Sequence, residues 1–131
     1  MYQRELLEIG AGPNTQVNKY GRGSGVDIVD RGGDALVVEN TALLSFRDAS
    51  FDTIAFVACL NHIPNRKEVV KEARRLLKPD GRVLITMIDQ KLGNIGHAIG
   101  WCSEDKKRGG MVEGEGGEMW TEQIVKICRN A

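Results

Sequence analysis

The feature that most constrains the fold is a series of short apolar runs, each followed by glycine, proline or polar residues. The longest run covers the seven residues 54–60, well short of the roughly 18 that a membrane-spanning helix needs. The predicted strands are residues 6–9, 26–29, 36–38, 54–58 and 83–87. Because they alternate with helical segments or short connections, they predict an α/β fold with a parallel sheet.

The best-defined helix is predicted over residues 65–77. Its apolar positions recur at helical spacing and form one stripe, made of Val69, Val70, Ala73, Leu76 and Leu77. Asn65 is the predicted N-cap, with Glu68 three residues later as in a capping box. Residues 78–81 (KPDG) predict the turn that ends this helix. Weaker helices are predicted over residues 14–20 and 122–129.

Length and charge narrow the class of protein. The 131 residues predict a single domain over 1–131. Lys and Arg number 18 and Asp and Glu number 18, so the chain lacks the basic surplus of a nucleic-acid-binding protein. We therefore expect neither a nucleic-acid partner nor a membrane partner.

Cysteine usage and the amino terminus bear on the compartment. The three cysteines, Cys59, Cys102 and Cys128, are odd in number and widely spaced, which favours free thiols over a disulfide framework or a metal motif. The first residues lack the charged and then apolar layout of a signal peptide. Both observations predict a cytoplasmic setting.

A polar, Gly-rich stretch covers residues 89–119, and stretches of this length are usually functional or mobile. His97 lies within it, and Trp101 and Trp120 near its ends either roof an acceptor pocket or pack in the core. Its glutamates Glu113, Glu115 and Glu118 are interpreted as a solvated segment, and no metal site is predicted.

The turn after the first strand is a candidate ligand site, because ligands of parallel sheets bind at the carboxyl ends of the strands. Gly10 and Gly12 remove side chains where a ligand would approach the backbone. Thr15 stands where the dinucleotide fingerprint needs a third glycine, which disfavours a nicotinamide-dependent enzyme. Asp27, at the end of the second strand, is interpreted either as a ligand of a ribose diol or as a solvated carboxylate.

Three segments in order carry a resemblance to a known family. Residues 7–13 (LEIGAGP) resemble the first motif of class I S-adenosylmethionine-dependent methyltransferases. Residues 40–52 (NTALLSFRDASFD) resemble the stretch before that family's fourth strand. Residues 60–64 (LNHIP) and 74–82 (RRLLKPDGR) resemble two later segments, with the quinone-biosynthesis-like, type 11 branch the most similar.

The resemblance implies a fold and an activity. The fold would be a Rossmann-like three-layer sandwich with a mainly parallel sheet of about five strands in the order 3-2-1-4-5. The family's usual last two strands and its amino-terminal lid would be missing, so the chain looks short at both ends. The activity would be methyl transfer from S-adenosylmethionine to a small-molecule acceptor.

The resemblance also implies roles at the methionine end of the cofactor. Glu8 and the backbone of Gly10, Ala11 and Gly12 would face this end, with Glu8 directed toward the ammonium group directly or through water. Ala58, at the end of the fourth strand, would offer its backbone carbonyl to the same ammonium.

At the adenosine end, Asp27 would bind the ribose hydroxyls and Ile28 would pack on the adenine. Asn40 stands where the family commonly has Asp, and with Thr41 it would meet the adenine amino group through its side-chain carbonyl. Asn14 stands where the family usually has a further glycine, and Asn tolerates left-handed backbone angles.

His62, just after the fourth strand, is the candidate catalytic residue, either as a general base or as a local hydrogen-bonding residue. The alternative to an enzyme is a non-catalytic cofactor-binding or partner protein of the same fold. In that hypothesis the bare edge of the strand at residues 83–87 pairs with a second copy of the chain, as a homodimer, or with the Gly-rich stretch.

Overall fold

The computed structural model of the chain describes residues 4–86. Its elements, in chain order, are β1 (Leu6–Ile9), α1 (Thr15–Tyr20), β2 (Gly23–Asp27), β3 (Leu36–Val37), β4 (Phe51–Val57), a single 3-10 turn (Leu60–His62), α2 (Arg66–Leu76) and β5 (Leu77–Thr86). Within these residues no helix is long and apolar enough to cross a membrane. The closing helix, the Gly-rich stretch, His97, both tryptophans and the three glutamates predicted above lie outside the described residues.

The strands form one sheet in the order β3-β2-β1-β4-β5, and every pairing is parallel. This confirms the predicted sheet and its strand order. From β1 the chain crosses to β2 on one side, and from β4 it crosses to β5 on the other. Right-handed crossovers therefore place α1 and α2 on opposite faces of the sheet.

The core lies between α2 and one face of the sheet. Leu7 pairs with Ile54 in register, and both side chains are fully buried together with Ile9 and Phe56. The predicted stripe of α2 packs against them, because Val69, Val70, Ala73 and Leu76 belong to the same cluster. Alternation along β1 sends Glu8, between Leu7 and Ile9, to the opposite face.

The second strand begins earlier than predicted. Residues 21–25 were expected to form a turn, yet β2 starts at Gly23 and pairs there with Leu6. The absence of a side chain at Gly23 lets β1 approach closely, since a Cβ there would lie 2.1 Å from the Leu6 carbonyl oxygen. β2 also ends at Asp27, so the predicted strand residues Ile28 and Val29 lie outside the sheet.

The region after α2 also differs from the prediction. β5 extends from Leu77 to Thr86, whereas a turn over 78–81 and a strand over 83–87 were predicted. The register breaks at this turn, because Phe51 pairs with Leu77 and Thr53 with Arg82. Residues 78–81 are thus an irregularity in the strand, opposite Asp52 alone, which preserves the turn chemistry of Pro79 and Gly81.

Candidate cofactor-binding site

A cleft of about 360 Å³ lies at the carboxyl ends of β1, β2 and β4. This is the edge of an open parallel sheet where ligands bind. The structure brings eight of the predicted site residues to its lining: Gly10, Gly12, Asp27, Ile28, Asn40, Thr41, Ala58 and His62. The cleft is also lined by Arg31, Glu39, Val57, Cys59, Ile63, Pro64 and Asn65. Two predicted residues, Glu8 and Ala11, are buried behind this lining.

The turn after β1 presents backbone rather than side chains. Gly10 and Gly12 have φ values of 75° and 55°, which disfavour residues with a side chain. The amides of Gly10 and Ala11 both donate to the Val26 carbonyl, at 2.9 and 3.0 Å, and anchor the turn to β2. A Cβ on Gly10 would lie 2.8 Å from Cys59 Sγ, so the glycine is also required by its neighbour across the sheet.

Asn14 has the left-handed conformation that its glycine-like position predicted, with φ 64° and ψ 24°. Its side chain is buried over β2, because a Cβ on Gly25 would lie 1.8 Å from Asn14 Oδ1. Its Nδ2 donates to Asp34 Oδ1 at 3.1 Å. The Nδ2 of Asn18 donates to the same oxygen, and the hydrogen bonds from Asn18 and Asn14 together lower the pKa of the Asp34 carboxyl. Asn14 therefore fixes α1 to the turn after β2.

Asp27 is held in place by the backbone on both sides of the cleft floor. Its Oδ2 accepts from the Gly12 amide at 2.9 Å and its Oδ1 accepts from the Val29 amide at 3.1 Å. The residue is only 5% exposed, yet it lines the cleft. Each carboxylate oxygen retains acceptor capacity, so Asp27 can receive two hydroxyl groups in a fixed orientation.

The side-chain carbonyl of Asn40 accepts hydrogen bonds from other residues of the protein. Its Oδ1 accepts from the Ala42 amide at 2.9 Å and from Asn65 Nδ2 at 3.1 Å. These two bonds use both lone pairs, leaving none for the adenine amino group that the resemblance assigned to this oxygen. Asn65 correspondingly does not cap α2 with its side chain, and the predicted capping box is wrong.

Ala58 follows β4 with φ 50°, an unusual angle for a residue with a Cβ. Its amide donates to the carbonyl and to the hydroxyl of Thr86, at 3.0 and 3.1 Å, which anchors it to the end of β5. Such strain concentrates at functional positions, and here it lies at the cleft lining.

Cys59 lines the cleft but was not among the predicted site residues. Its thiol donates to the Ile9 carbonyl at 3.1 Å. Burial, together with the negative charges of Glu8 and Asp27, raises the pKa of Cys59 to about 12. The thiol therefore stays protonated at neutral pH and serves as a hydrogen-bond donor on the cleft floor.

Glu8 is 3% exposed, and its Oε2 has no hydrogen-bond partner within the described residues. Burial raises the pKa of this carboxyl above its ordinary value of 4.5. A buried acceptor without a donor is costly unless a ligand or water supplies one. The chemistry of Glu8 therefore fits a cationic ligand group at the methionine end of the predicted cofactor.

The Glu8→Gln variant is expected to be more stable than wild type at pH 7, by about 1 kcal/mol, because a neutral amide is cheaper to bury than a carboxylate. Since the folded-state pKa is raised, the stability contribution of Glu8 is complete below pH 4.5 and declines as pH rises through the folded-state pKa. Urea unfolding at pH 4.5 and pH 7 measures this difference. The prediction would be contradicted if wild type became more stable relative to the variant as the pH rises from 4.5 to 7.

The fold and the cleft together define a class of protein: a Rossmann-like α/β domain with a ligand cleft at its strand ends. The family described as "Methyltransferase domain" matches residues 7–85. The chain belongs to this family.

Two proteins of known sequence match this chain over parts of their length. An uncharacterised protein of Methanocaldococcus jannaschii is 24% identical over 130 residues, which cover 94% of this chain and 61% of that protein. Phosphoethanolamine N-methyltransferase 2 of Caenorhabditis elegans is 38% identical over 60 residues, covering 46% of this chain and 12% of that enzyme. The chain thus spans less than two thirds of the length of these relatives.

Solved structures show the same fold. A SAM-dependent methyltransferase of Thermotoga maritima superimposes with a TM-score of 0.72 at 21% identity, covering 99% of this chain and 64% of that one. The 1,6-didemethyltoxoflavin-N1-methyltransferase of Burkholderia thailandensis, solved with S-adenosylhomocysteine, has a TM-score of 0.55 at 24% identity over 66% of this chain and 46% of its own. The family match supports S-adenosylmethionine as the cofactor, as the sequence predicted.

Proposed function

We propose that this chain is the cofactor-binding domain of an S-adenosylmethionine-dependent methyltransferase that acts on a small molecule. The observation that carries the proposal is Asp27, a buried carboxylate aimed into the cleft and oriented by the amides of Gly12 and Val29. The family match and the glycine turn beside it support the same conclusion.

In this proposal the cleft residues divide between the two ends of the cofactor. Asp27 receives the ribose hydroxyls, Ile28 packs on the adenine, and Asn40 and Thr41 form the wall beside it. Ile28 suits this role because it is 50% exposed while lining the cleft.

At the methionine end, Gly10 and Gly12 admit the chain of the amino acid close to the backbone. The Ala58 carbonyl accepts from the ammonium group, and the buried charge of Glu8 favours that cation from behind the turn. The unpartnered Oε2 of Glu8 supports this arrangement.

When bound, S-adenosylmethionine would supply an electrophilic methyl group: the acceptor atom would bond to the methyl carbon in line as the carbon–sulfur bond breaks, with S-adenosylhomocysteine leaving as the neutral thioether. The chain's own contribution is to orient this group and to exclude water, so no metal is needed in the proposal. His62 lies at the cleft lining in the turn after β4, half-buried, where it is proposed to take the acceptor's proton as a general base.

Turnover tests the proposal. The chain is incubated with S-adenosylmethionine and a panel of small-molecule acceptors carrying hydroxyl, amine, thiol or acidic carbon groups, and release of S-adenosylhomocysteine is followed by mass spectrometry. We expect acceptor-dependent release, reduced about 100-fold or more in His62→Ala if His62 is the base. Cofactor binding without release for any acceptor would instead identify the non-catalytic alternative.

A further inference from the structure

The loop between β3 and β4 lies along the whole of α2. We call residues 40–50 of it the wall loop, because Asn40 and Thr41 form one side of the cleft. At the start of the helix, Asn65 donates to Asn40. At its end, the carbonyls of Arg75 and Leu76 accept from the amides of Ala49 and Ser50, at 3.0 and 2.9 Å.

Between these two ends, Glu72 and Arg75 bind the backbone of one wall-loop residue, Leu44, at both its amide and its carbonyl. Glu72 Oε1 accepts from the Leu44 amide at 2.9 Å, and Arg75 Nη2 donates to the Leu44 carbonyl at 2.9 Å. The two side chains are also bonded to each other, with Arg75 Nε 2.9 Å from Glu72 Oε2 and Nη2 2.6 Å from Oε1.

Arg75 also binds wall-loop residues beyond Leu44. Its Nη1 donates to the Phe46 carbonyl at 3.0 Å and to Asp48 Oδ1 at 2.5 Å. One planar guanidinium thus binds three loop residues and a helix residue, using its fork of donors. The ion pair with Arg75 lowers the pKa of the Glu72 carboxyl and keeps it charged.

Leu44 directly follows the turn that faces the cleft. The Leu43 amide donates to the Asn40 carbonyl at 3.1 Å, and Asn40 Oδ1 accepts from Ala42, so residues 40–43 form one compact turn. This turn is fixed by Asn65 on one side and by the Glu72 and Arg75 pair on the other. The position of Thr41 in the cleft therefore depends on where the pair holds Leu44.

We infer that Glu72 and Arg75 are positioning residues that set the adenine side of the cofactor site through the wall loop, without touching the cofactor. The inference rests on the proposed function, since it assigns the adenine to the wall that Asn40 and Thr41 form.

Arg75→Lys tests the inference because Lys keeps the charge and loses the planar fork. We expect its affinity for S-adenosylhomocysteine, measured by calorimetry, to fall about fivefold or more, the effect of roughly one lost hydrogen bond. Hydrogen exchange at the Leu43 and Leu44 amides is expected to accelerate in the same variant without any ligand. Glu72→Gln, which retains an acceptor for the Leu44 amide, is expected to show a smaller loss of affinity.

Arg74→Lys is the matched control. Arg74 is the exposed neighbour of Arg75 on the same helix, and within residues 4–86 its side chain makes none of the hydrogen bonds that join α2 to the wall loop. The inference requires that Arg74→Lys binds S-adenosylhomocysteine like wild type. It is overturned if Arg75→Lys binds like wild type, if Arg74→Lys loses as much affinity, or if exchange at residues 43 and 44 is unchanged.

The outcomes also separate this inference from the proposed function. Wild type that fails to bind S-adenosylhomocysteine refutes the proposed function and with it the cofactor role of the pair. Wild type that binds, with an Arg75→Lys variant of equal affinity, refutes the positioning role alone.

Discussion

Asp27→Ala is expected to weaken S-adenosylhomocysteine binding by about 100-fold or more, below detection for a ligand of micromolar affinity. In the proposed arrangement, the variant loses two charge-assisted hydrogen bonds to the ribose, each contributing roughly 1.5–3 kcal/mol. It also releases the amides of Gly12 and Val29, which the carboxylate holds at 2.9 and 3.1 Å. Calorimetric titration of both proteins measures the effect.

Asp30→Ala is the control for Asp27→Ala. Asp30 lies three residues later and likewise accepts a backbone bond, from the Gly32 amide at 2.9 Å, but it is exposed and does not line the cleft. Its affinity is expected to stay within about twofold of wild type, since surface substitutions rarely exceed 0.5 kcal/mol. Equal affinities for the Asp27→Ala variant and wild type would refute the assigned role of Asp27.

Gly25→Ala is expected to lower the free energy of unfolding by about 3 kcal/mol, because the sheet has no room for the added methyl group. Its Cβ would lie 1.8 Å from Asn14 Oδ1 and 2.7 Å from the Ala11 Cβ. Neither neighbour can move freely, since Asn14 is bonded to Asp34 and Ala11 belongs to the turn after β1. Urea unfolding followed by circular dichroism provides the measurement.

A double variant identifies the cause of this loss. Adding Asn14→Gly to Gly25→Ala removes the clashing oxygen while the backbone keeps its left-handed angle, so about half of the lost stability is expected to return. Gly32→Ala is the comparison, since its added Cβ meets nothing within 4 Å and only its φ of 76° opposes the change. That variant should lose about 1 kcal/mol. A double variant as unstable as the sum of the single variants would contradict the steric explanation.

The sheet could be predicted because its strongest signals are local. The apolar run of β4 and the stripe of α2 each reveal buried faces. Both ends of α2 and the carboxyl end of β4 were predicted to within one residue, but β4 starts at Phe51, three residues before the predicted start. The start of β2 was missed because Gly23 and Gly25 resemble turn residues in sequence. They belong to a strand because Leu6, Ala11 and Asn14 approach it, which is tertiary information.

The part of the site that lies at the ends of strands could be predicted from the sequence. Gly10, Gly12 and Asp27 directly follow or end β1 and β2, and the structure places all three at the cleft. Arg31 and Glu39 also follow strand ends, so the same rule offered a signal for them. Cys59, two residues after β4, falls under the same rule. Asn65 could not be found this way, since its role depends on a bond to Asn40 that is distant in sequence.

Edge pairing of β5 stays a prediction. Within residues 4–86 this strand pairs only with β4, and Val83 and Leu84 are 42% and 53% exposed. The predicted homodimer would cover this edge, and light scattering that gives the mass of a monomer would contradict it.

An NMR titration of the ¹⁵N-labelled chain with S-adenosylhomocysteine tests most directly whether the cleft binds the cofactor. We expect saturable shifts of the Gly10, Gly12 and Val29 amides around the glycine turn and Asp27, and of the Thr41 amide at the wall. Lys19 and Lys71 on the outer helices are expected to stay unchanged. Unshifted cleft amides at about 1 mM ligand, where even a weak complex forms, would contradict it. Shifts confined to residues away from the cleft would contradict it equally.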